Sequence, residues 1–448
     1  MSVSGARALL RGLTTRGRCL LAAGLTLLAC SVLLGQRDLL RAAVFLIALP
    51  LAAVTIVART RYRLACARHL DPSRVEAGRT ATVRLRLDNV SRLPSGVLLM
   101  EDALPYVLGG RPRFVLDRVE PQGVREVSYP VRPEARGRYR VGPLSVRLTD
   151  PFGLCELTRS FATSDDLVVT PVVSALPPVR LGGDWAGGGD TASRSIATSG
   201  TDDAATREYR HGDDLRKVHW RSTARVGELM VRQEEQPFQS RATLLLDGRA
   251  RAPRGEGPGS SFEWAVSALA SVGASLARSG FALSLLRDTG EPVTPVGLPL
   301  TESVLLDALA TVDASPALRL DGAVTRLRAG AGRGTGGVLV AVLGALELAE
   351  AEQLARLRTG SAVCVAVVLD TDSWAPVSPR LREAALVAHE QVLTLLHGAG
   401  WRVLPVAHGT SRASVWPLAG GRAARPALVR PAASRPTSAA PAASGRSS

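Results

Sequence analysis

Ala242-Thr243-Leu244-Leu245-Leu246-Asp247 is an apolar run that ends in a carboxylate, and the turn Gly248-Arg249-Ala250-Arg251 follows it directly. A strand that is apolar on both faces is one covered on both faces, as parallel strands are. Runs of the same kind recur at 281–286, 338–343, 363–369 and 401–406. Between them, 262–278, 301–312, 346–357 and 379–397 place apolar residues three and four apart, the helical period. The alternation predicts an α/β domain over 240–419, a doubly wound parallel sheet with right-handed crossovers. Ligands of such sheets sit beyond the carboxyl ends of the strands, which singles out Asp247.

Upstream lies Arg207-Glu208-Tyr209-Arg210-His211-Gly212-Asp213-Asp214-Leu215-Arg216-Lys217-Val218-His219-Trp220-Arg221-Ser222-Thr223-Ala224-Arg225, the core of a segment assigned to 207–239. Asp213 and Asp214 suit the N-terminus of a short helix, with Leu215, Val218 and Trp220 turned inward and Val226-Gly227 ending it. Asp213, His219 and the arginines are also the residue types of acid-base work or anion gripping. No nucleophile with a matched base accompanies them, so a packing or docking role for Arg207, Glu208, Tyr209, Gly212, Asp213, Arg216, His219, Trp220 and Arg225 is the better expectation. Residues 176–206, rich in Gly, Pro, Ser and Thr, read as a flexible linker.

From 62 to 175 the pattern switches to period two, as in Thr82-Val83-Arg84-Leu85-Arg86-Leu87-Asp88, the mark of strands with one buried face. Further strands are expected at 97–101, 124–131, 139–141, 144–148 and 167–173, which suggests a small antiparallel β-sandwich-like domain. Within it, Arg136-Gly137-Arg138-Tyr139-Arg140-Val141-Gly142-Pro143 reads as a strand bracketed by glycines. Asp150-Pro151-Phe152-Gly153-Leu154 reads as a turn that Phe152 pins to the core.

Two apolar stretches, 19–35 and 39–58, precede this domain, each close to the ~17–25 residues that cross a bilayer. Gly35-Gln36-Arg37-Asp38 joins them too tightly for anything but a helical hairpin. Arg7, Arg11, Arg16 and Arg18 before the first and Arg59, Arg61, Arg63 and Arg68 after the second outnumber Arg37 and Arg41 at the turn. By that asymmetry, the basic N-terminus (1–18) and everything after the hairpin face the cytoplasm of a multi-pass protein in the plasma membrane. The competing reading is a secretory or lipoprotein signal ending at Leu27-Leu28-Ala29-Cys30, but the apolar run continues through Leu34 and a second follows at once.

The formal net charge of +15 over 448 residues invites a nucleic-acid reading. Lys217 is the one lysine, and the arginines are scattered among Ala, Gly and Pro, as codon bias in a high-G+C actinobacterial-like genome produces. No aromatic-interleaved basic run accompanies them, so no nucleic-acid partner is expected. Five dispersed cysteines give neither a disulfide framework nor a CxxC metal pair. Residues 420–448 lack periodicity and read as a disordered tail.

The motifs RGxYxxGP, DPFGL and REYxxGDxxRxxHWxxxAR, in this order, resemble those of the bacterial family catalogued as domain of unknown function 58. The resemblance implies a membrane hairpin, a β-domain and a C-terminal von Willebrand A-like α/β domain. It also implies genomic company with MoxR-type AAA+ ATPases, often beside transglutaminase-like membrane proteins. A functional von Willebrand A site coordinates a divalent ion through Asp-x-Ser-x-Ser, whereas arginines stand at both serine positions here. Two guanidinium groups repel a hard cation that wants oxygen ligands. Asp247 is therefore expected to be a remnant paired with arginine or capping a turn, with no metal and no cofactor. The reading that follows is a membrane-anchored, non-enzymatic adaptor. A metal-assisted ligand-binding module and an enzyme of envelope precursors are its alternatives.

Overall fold

The computed structural model describes residues 12–59, 64–149 (except 93 and 96), 152–179, 181, 206–209, 218–232, 240–293, 300–331, 337–358 and 362–421. They fall into two compact units that divide between Val172 and Val173.

The first unit opens with two apolar helices, α1 (Thr15–Leu34) and α2 (Arg37–Arg59), each long and apolar enough to cross a membrane. The first begins at Thr15 because the Thr14 side chain accepts the Gly17 amide, and Gly35 ends it in the left-handed conformation. The two helices pack closely at Gly24, where a Cβ would stand 2.7 Å from Ile47 Cγ1.

Ten strands follow in three small sheets. Strands β1 (Leu64–Asp71), β3 (Ala81–Asn89) and β6 (Val124–Val131) form one. The second holds β2 (Arg74–Glu76), β7 (Gly137–Val141) and β10 (Asp165–Thr170), and the third β4 (Leu98–Asp102), β5 (Arg113–Leu116), β8 (Leu144–Thr149) and β9 (Glu156–Phe161). The period-two stretch is β3, whose Val83, Leu85 and Leu87 are fully buried while Arg84 and Arg86 face out. Side chains of all three sheets share one core around Leu85, Leu98, Met100, Leu144 and Leu167. Strand β10 stops at Thr170 because Pro171 has no amide for the ladder.

In the second unit, 173–181 is not the start of a free linker: Leu176, Val179 and Leu181 pack on the α/β core, and Ser174 accepts a hydrogen bond from Arg412 Nε at 2.9 Å. Apolar residues at 173, 176, 179 and 181 explain the docking, and composition concealed them. Of the expected linker and tail, 182–205 and 422–448 lie outside the described residues.

The main sheet is parallel throughout, in the order β14 (Ala282–Arg287), β13 (Arg241–Leu246), β15 (Gly337–Leu343), β16 (Val363–Leu369), β17 (Arg402–Val406). Leu244 and Leu246 of β13 enter one core with α4 (Ser261–Arg278) and α5 (Glu302–Ala310). Leu245 enters the other, with α6 (Asp321–Ala331), α7 (Leu348–Ala355) and α8 (Pro379–Gly398). Helices thus cover both faces, and the five buried strands are those the sequence marks. Helix α6 is absent from the sequence reading: Gly322 breaks its apolar pattern and is required where a Cβ would fall 2.2 Å from Thr289 O.

Candidate functional site

Strand order in this sheet reverses between β13 and β15, and a ligand crevice belongs at the carboxyl ends of those two strands. Arg249 fills it. Its Nε donates to Asp247 Oδ1 at 2.8 Å, Nη2 to Asp247 Oδ2 at 2.8 Å and to Ala345 O at 3.0 Å, and Nη1 to Glu350 Oε1 at 2.5 Å. The Gly344 amide donates to the free side of Asp247 Oδ2 at 3.0 Å. Arg249, Asp247 and Glu350 are each no more than 1% exposed at the side chain. Burial works against the guanidinium charge, but hydrogen bonds and attraction from Asp247 and Glu350 more than offset it and raise the Arg249 pKa.

A second arginine closes the rim. Arg251 pairs with Glu347 at 2.6 Å and with Glu350 at 2.7 Å. Glu347 and Glu350 also form the capping box of α7, so one carboxylate, Glu350, serves the helix terminus and both arginines. Every hydrogen-bonding direction of the Asp247 carboxylate toward the crevice is taken by Arg249 and Gly344. What remains is a water-sized recess lined by Asp247, Ala252, Ser261, Phe262 and Gly344. Among the described residues, no group of three or more His, Cys, Asp or Glu side chains is placed to hold a metal ion. Glu350 escaped sequence reasoning. Its signal was its place three residues after Glu347 at the start of a helical run.

The segment before the sheet forms a small clasp. Strand β11 (Thr206–Glu208) pairs antiparallel with β12 (Met230–Arg232), setting Arg207 opposite Val231 and Glu208 opposite Met230. Tyr209 N donates to Leu229 O at 2.8 Å and His219 N to Met230 O at 2.8 Å. The short helix α3 (Trp220–Val226) starts later than the sequence suggests, and its cap is His219, whose Nδ1 lies 2.8 Å from Ser222 Oγ and accepts the Ser222 amide. Gly227 ends it in the left-handed conformation, as expected. Trp220 does not pack inward: it is 70% exposed, while Val218 and Val231 are buried. A helix that begins at residue 220 turns its first side chain away from the strands. Arg225 is exposed in the last turn. Gly212, Asp213 and Arg216 lie outside the described residues, as does the Arg207 side chain.

The β-domain motif has a structural logic. Tyr139 donates its hydroxyl back to Ala135 O and Arg136 O at 3.0 and 3.1 Å, and Gly137 leaves room for that ring. Gly142, at φ +104°, faces the Arg68 guanidinium, which a Cβ would approach to 2.5 Å. Arg68 in turn pairs with buried Asp102 at 2.6 Å, and Asp102 accepts the Tyr129 hydroxyl at 2.5 Å. Pro143 begins the link into β8. In the second motif Asp150 and Pro151 lie outside the described residues. Phe152 is not pinned to the core but 64% exposed, and Leu154 and Cys155 are the buried pair.

These features define a chain that joins an apolar helical hairpin and small β-sheets to a parallel α/β domain, with an ion-pair plug in the sheet's crevice. Residues 205–375 match the family described as Protein of unknown function DUF58. The uncharacterized protein YeaD of Bacillus subtilis is 27% identical over 219 residues, 48% of this chain. The match spans about half (53%) of the Bacillus protein's length. Among solved structures, the CARDB domain of a Pyrococcus furiosus protein, in complex with di-metal ions, matches 24% of this chain and 90% of its own length at 12% identity, with a TM-score of 0.19. A PapD-like domain of human CEP192 matches 24% and 85% at 14% identity, with a TM-score of 0.17. Scores that low define no common fold.

Proposed function

We propose that the chain is a two-pass plasma-membrane protein and a non-enzymatic adaptor. Its C-terminal domains face the cytoplasm and work with a MoxR-type AAA+ ATPase in the assembly or maturation of envelope or other complexes. In this reading the α/β domain is von Willebrand A-like, with the cation's place taken by a side chain of the protein itself. The observation that carries it is Arg249: a fully buried guanidinium, bidentate on Asp247 and anchored by Glu350, in the crevice where a sheet of this order binds its ligand. A crevice filled by its own arginine favours recognition by a standing surface over metal-dependent capture or turnover. The hairpin supports anchoring through the outward-facing apolar side chains of α1 and α2, among them Leu25, Val32, Leu33, Val44 and Phe45. The partner rests on likeness to the family alone, with transglutaminase-like membrane proteins as further candidates.

Affinity capture of the full chain from detergent-solubilised membranes, with and without ATP, tests this. Co-purification of a MoxR-type ATPase is the expected result, and capture that recovers none under either condition overturns the partnership.

A further inference from the structure

The DPFGL turn contacts the bases of both apolar helices. Thr14 N donates to Leu154 O at 3.0 Å, Thr14 Oγ1 to Gly153 O at 2.7 Å, and Glu156 N to Gly12 O at 2.7 Å. Leu154 and Cys155 are buried with Leu13 and with Ala53 and Val54 of α2, while Leu20, Leu21 and Leu49 pack around them. Gly17 admits the turn: a Cβ there would lie 2.4 Å from Leu154 O. The same turn sends Phe152 the other way, 64% exposed, beside the exposed Arg16, whose Nη1 lies 3.8 Å from where a Gly153 Cβ would be.

Helix length fixes the level of this turn in a bilayer. Helix α1 has 20 residues, and at about 1.5 Å per residue they rise about 30 Å, which is the thickness of the hydrocarbon core. All of α1 is needed to cross, so Thr15 lies at the boundary, and the turn bonded to Thr14 lies in the same plane. Arg16 and Arg18 lie in the first turn past that boundary, from which their long side chains snorkel back to the lipid phosphates. An apolar side chain that projects in that plane can bury at the headgroup–acyl boundary, as the Trp, Phe and Leu side chains of interfacial helices do.

From this juxtaposition we infer that the Phe152 turn is a third membrane contact, an interfacial anchor that dips the aromatic ring among the lipid headgroups and holds the β-rich part of the first unit against the bilayer. The inference rests on the membrane reading of α1 and α2. Its occupant is the lipid surface itself, because the turn is continuous with the hairpin and flanked by basic residues of the sign that anionic lipid attracts.

Tryptophan placed at the site reports its surroundings. The full chain is reconstituted into phosphatidylcholine–phosphatidylglycerol vesicles that carry bromine either near the ester end or deep in the acyl chain, as wild type, as Phe152→Trp and as Phe45→Trp. Phe45 lies within α2 and is 66% exposed, so its variant tests the span alone. The six native tryptophans set the baseline. Phe152→Trp is expected to add emission quenched by shallow bromine more than by deep bromine and shielded from aqueous iodide, and Phe45→Trp to add emission quenched by deep bromine. If Phe45→Trp is quenched by lipid while Phe152→Trp is not, the anchor is overturned and the span stands, whether iodide reaches position 152 or a protein surface covers it. If neither is quenched, the membrane reading falls and the anchor with it.

Discussion

Arg249 grips Asp247 with both prongs of its guanidinium from two residues along the chain, Nε on Oδ1 and Nη2 on Oδ2, each at 2.8 Å, and neither side chain is more than 1% exposed. A charge pair that dry is held by mutual compensation, and removing one member strands the other. Asp247→Ala should therefore cost about 3–5 kcal/mol, the usual penalty for removing one partner of a buried ion pair. Arg249→Met should cost a similar amount, because it leaves Asp247 and Glu350 facing each other. The double variant should lose clearly less than the sum, since Asp247 and Arg249 are then both gone and Glu350 keeps Arg251 as its partner. Chemical unfolding of the full chain in detergent, followed by tryptophan emission, checks this through fully buried Trp401 in the same domain. Additive losses would show that the pair is not a unit.

Gly142 and Arg68 set up a comparison within the β-rich unit. At φ +104° any side chain at 142 strains the backbone, by about 1–3 kcal/mol. An alanine there also drives its Cβ into the guanidinium that holds Asp102. Gly78, at φ +82°, has open space where a Cβ would stand, with nothing within 4 Å, and so carries the backbone cost alone. Gly142→Ala should destabilise clearly more than Gly78→Ala by thermal unfolding. Equal losses would mean that the Arg68–Asp102 pair yields without cost.

The strands of the α/β domain were legible because each buries both faces, and unbroken runs such as 242–246 and 363–369 leave no other reading. The pairing of Asp247 with an arginine was legible from Asp247 and Arg249 alone, since a carboxylate at a buried strand end needs a cation and the turn offers one. Its third member was not. Glu350 lies 101 residues from Arg249, and only the return of β15 beside β13 brings α7 to the crevice. The same limit explains Phe152. An aromatic residue in a Pro-Gly turn reads as a core pin, and nothing local reveals that the turn's other face is taken by Leu13 and the helix bases. Trp220 reads as inward in a helix capped at Asp213, whereas the helix that holds it is capped at His219 and opens with the indole exposed.

Half-buried His389 and buried Cys364 tie stability to pH from opposite sides. Burial lowers the His389 pKa below its ordinary 6.5, and Nε2 has no hydrogen-bond partner among the described residues. The unfolded chain then takes up a proton at this position more readily than the folded one, so stability should fall as pH drops below about 6.5. Burial also pushes the Cys364 thiol from 9.0 up to about 11, so its contribution is full below about 9 and lost as pH rises toward 11. Melting temperature against pH should fall at both ends. His389→Leu should flatten the acid limb and Cys364→Ala the alkaline one, and limbs unchanged by these substitutions would assign the slopes to other groups.

Trp220 offers the sharpest test of the docking role. It opens α3 at 70% exposure, with Val226 at 58% and Leu229 at 40% exposed in the same clasp. A large exposed indole contributes little to the fold, so Trp220→Ala should change stability by no more than about 0.5 kcal/mol. Tryptophan is also the residue type most enriched among the few side chains that carry a protein interface, where truncation costs about 2 kcal/mol or more. Such a loss weakens binding by roughly thirtyfold at 25 °C. Capture of the ATPase by the Trp220→Ala chain should therefore fall below detection at protein levels that capture it with wild type, while the melting temperature holds. Undiminished capture would move the docking surface off the clasp. A lower melting temperature would mean that the indole packs against the fold after all.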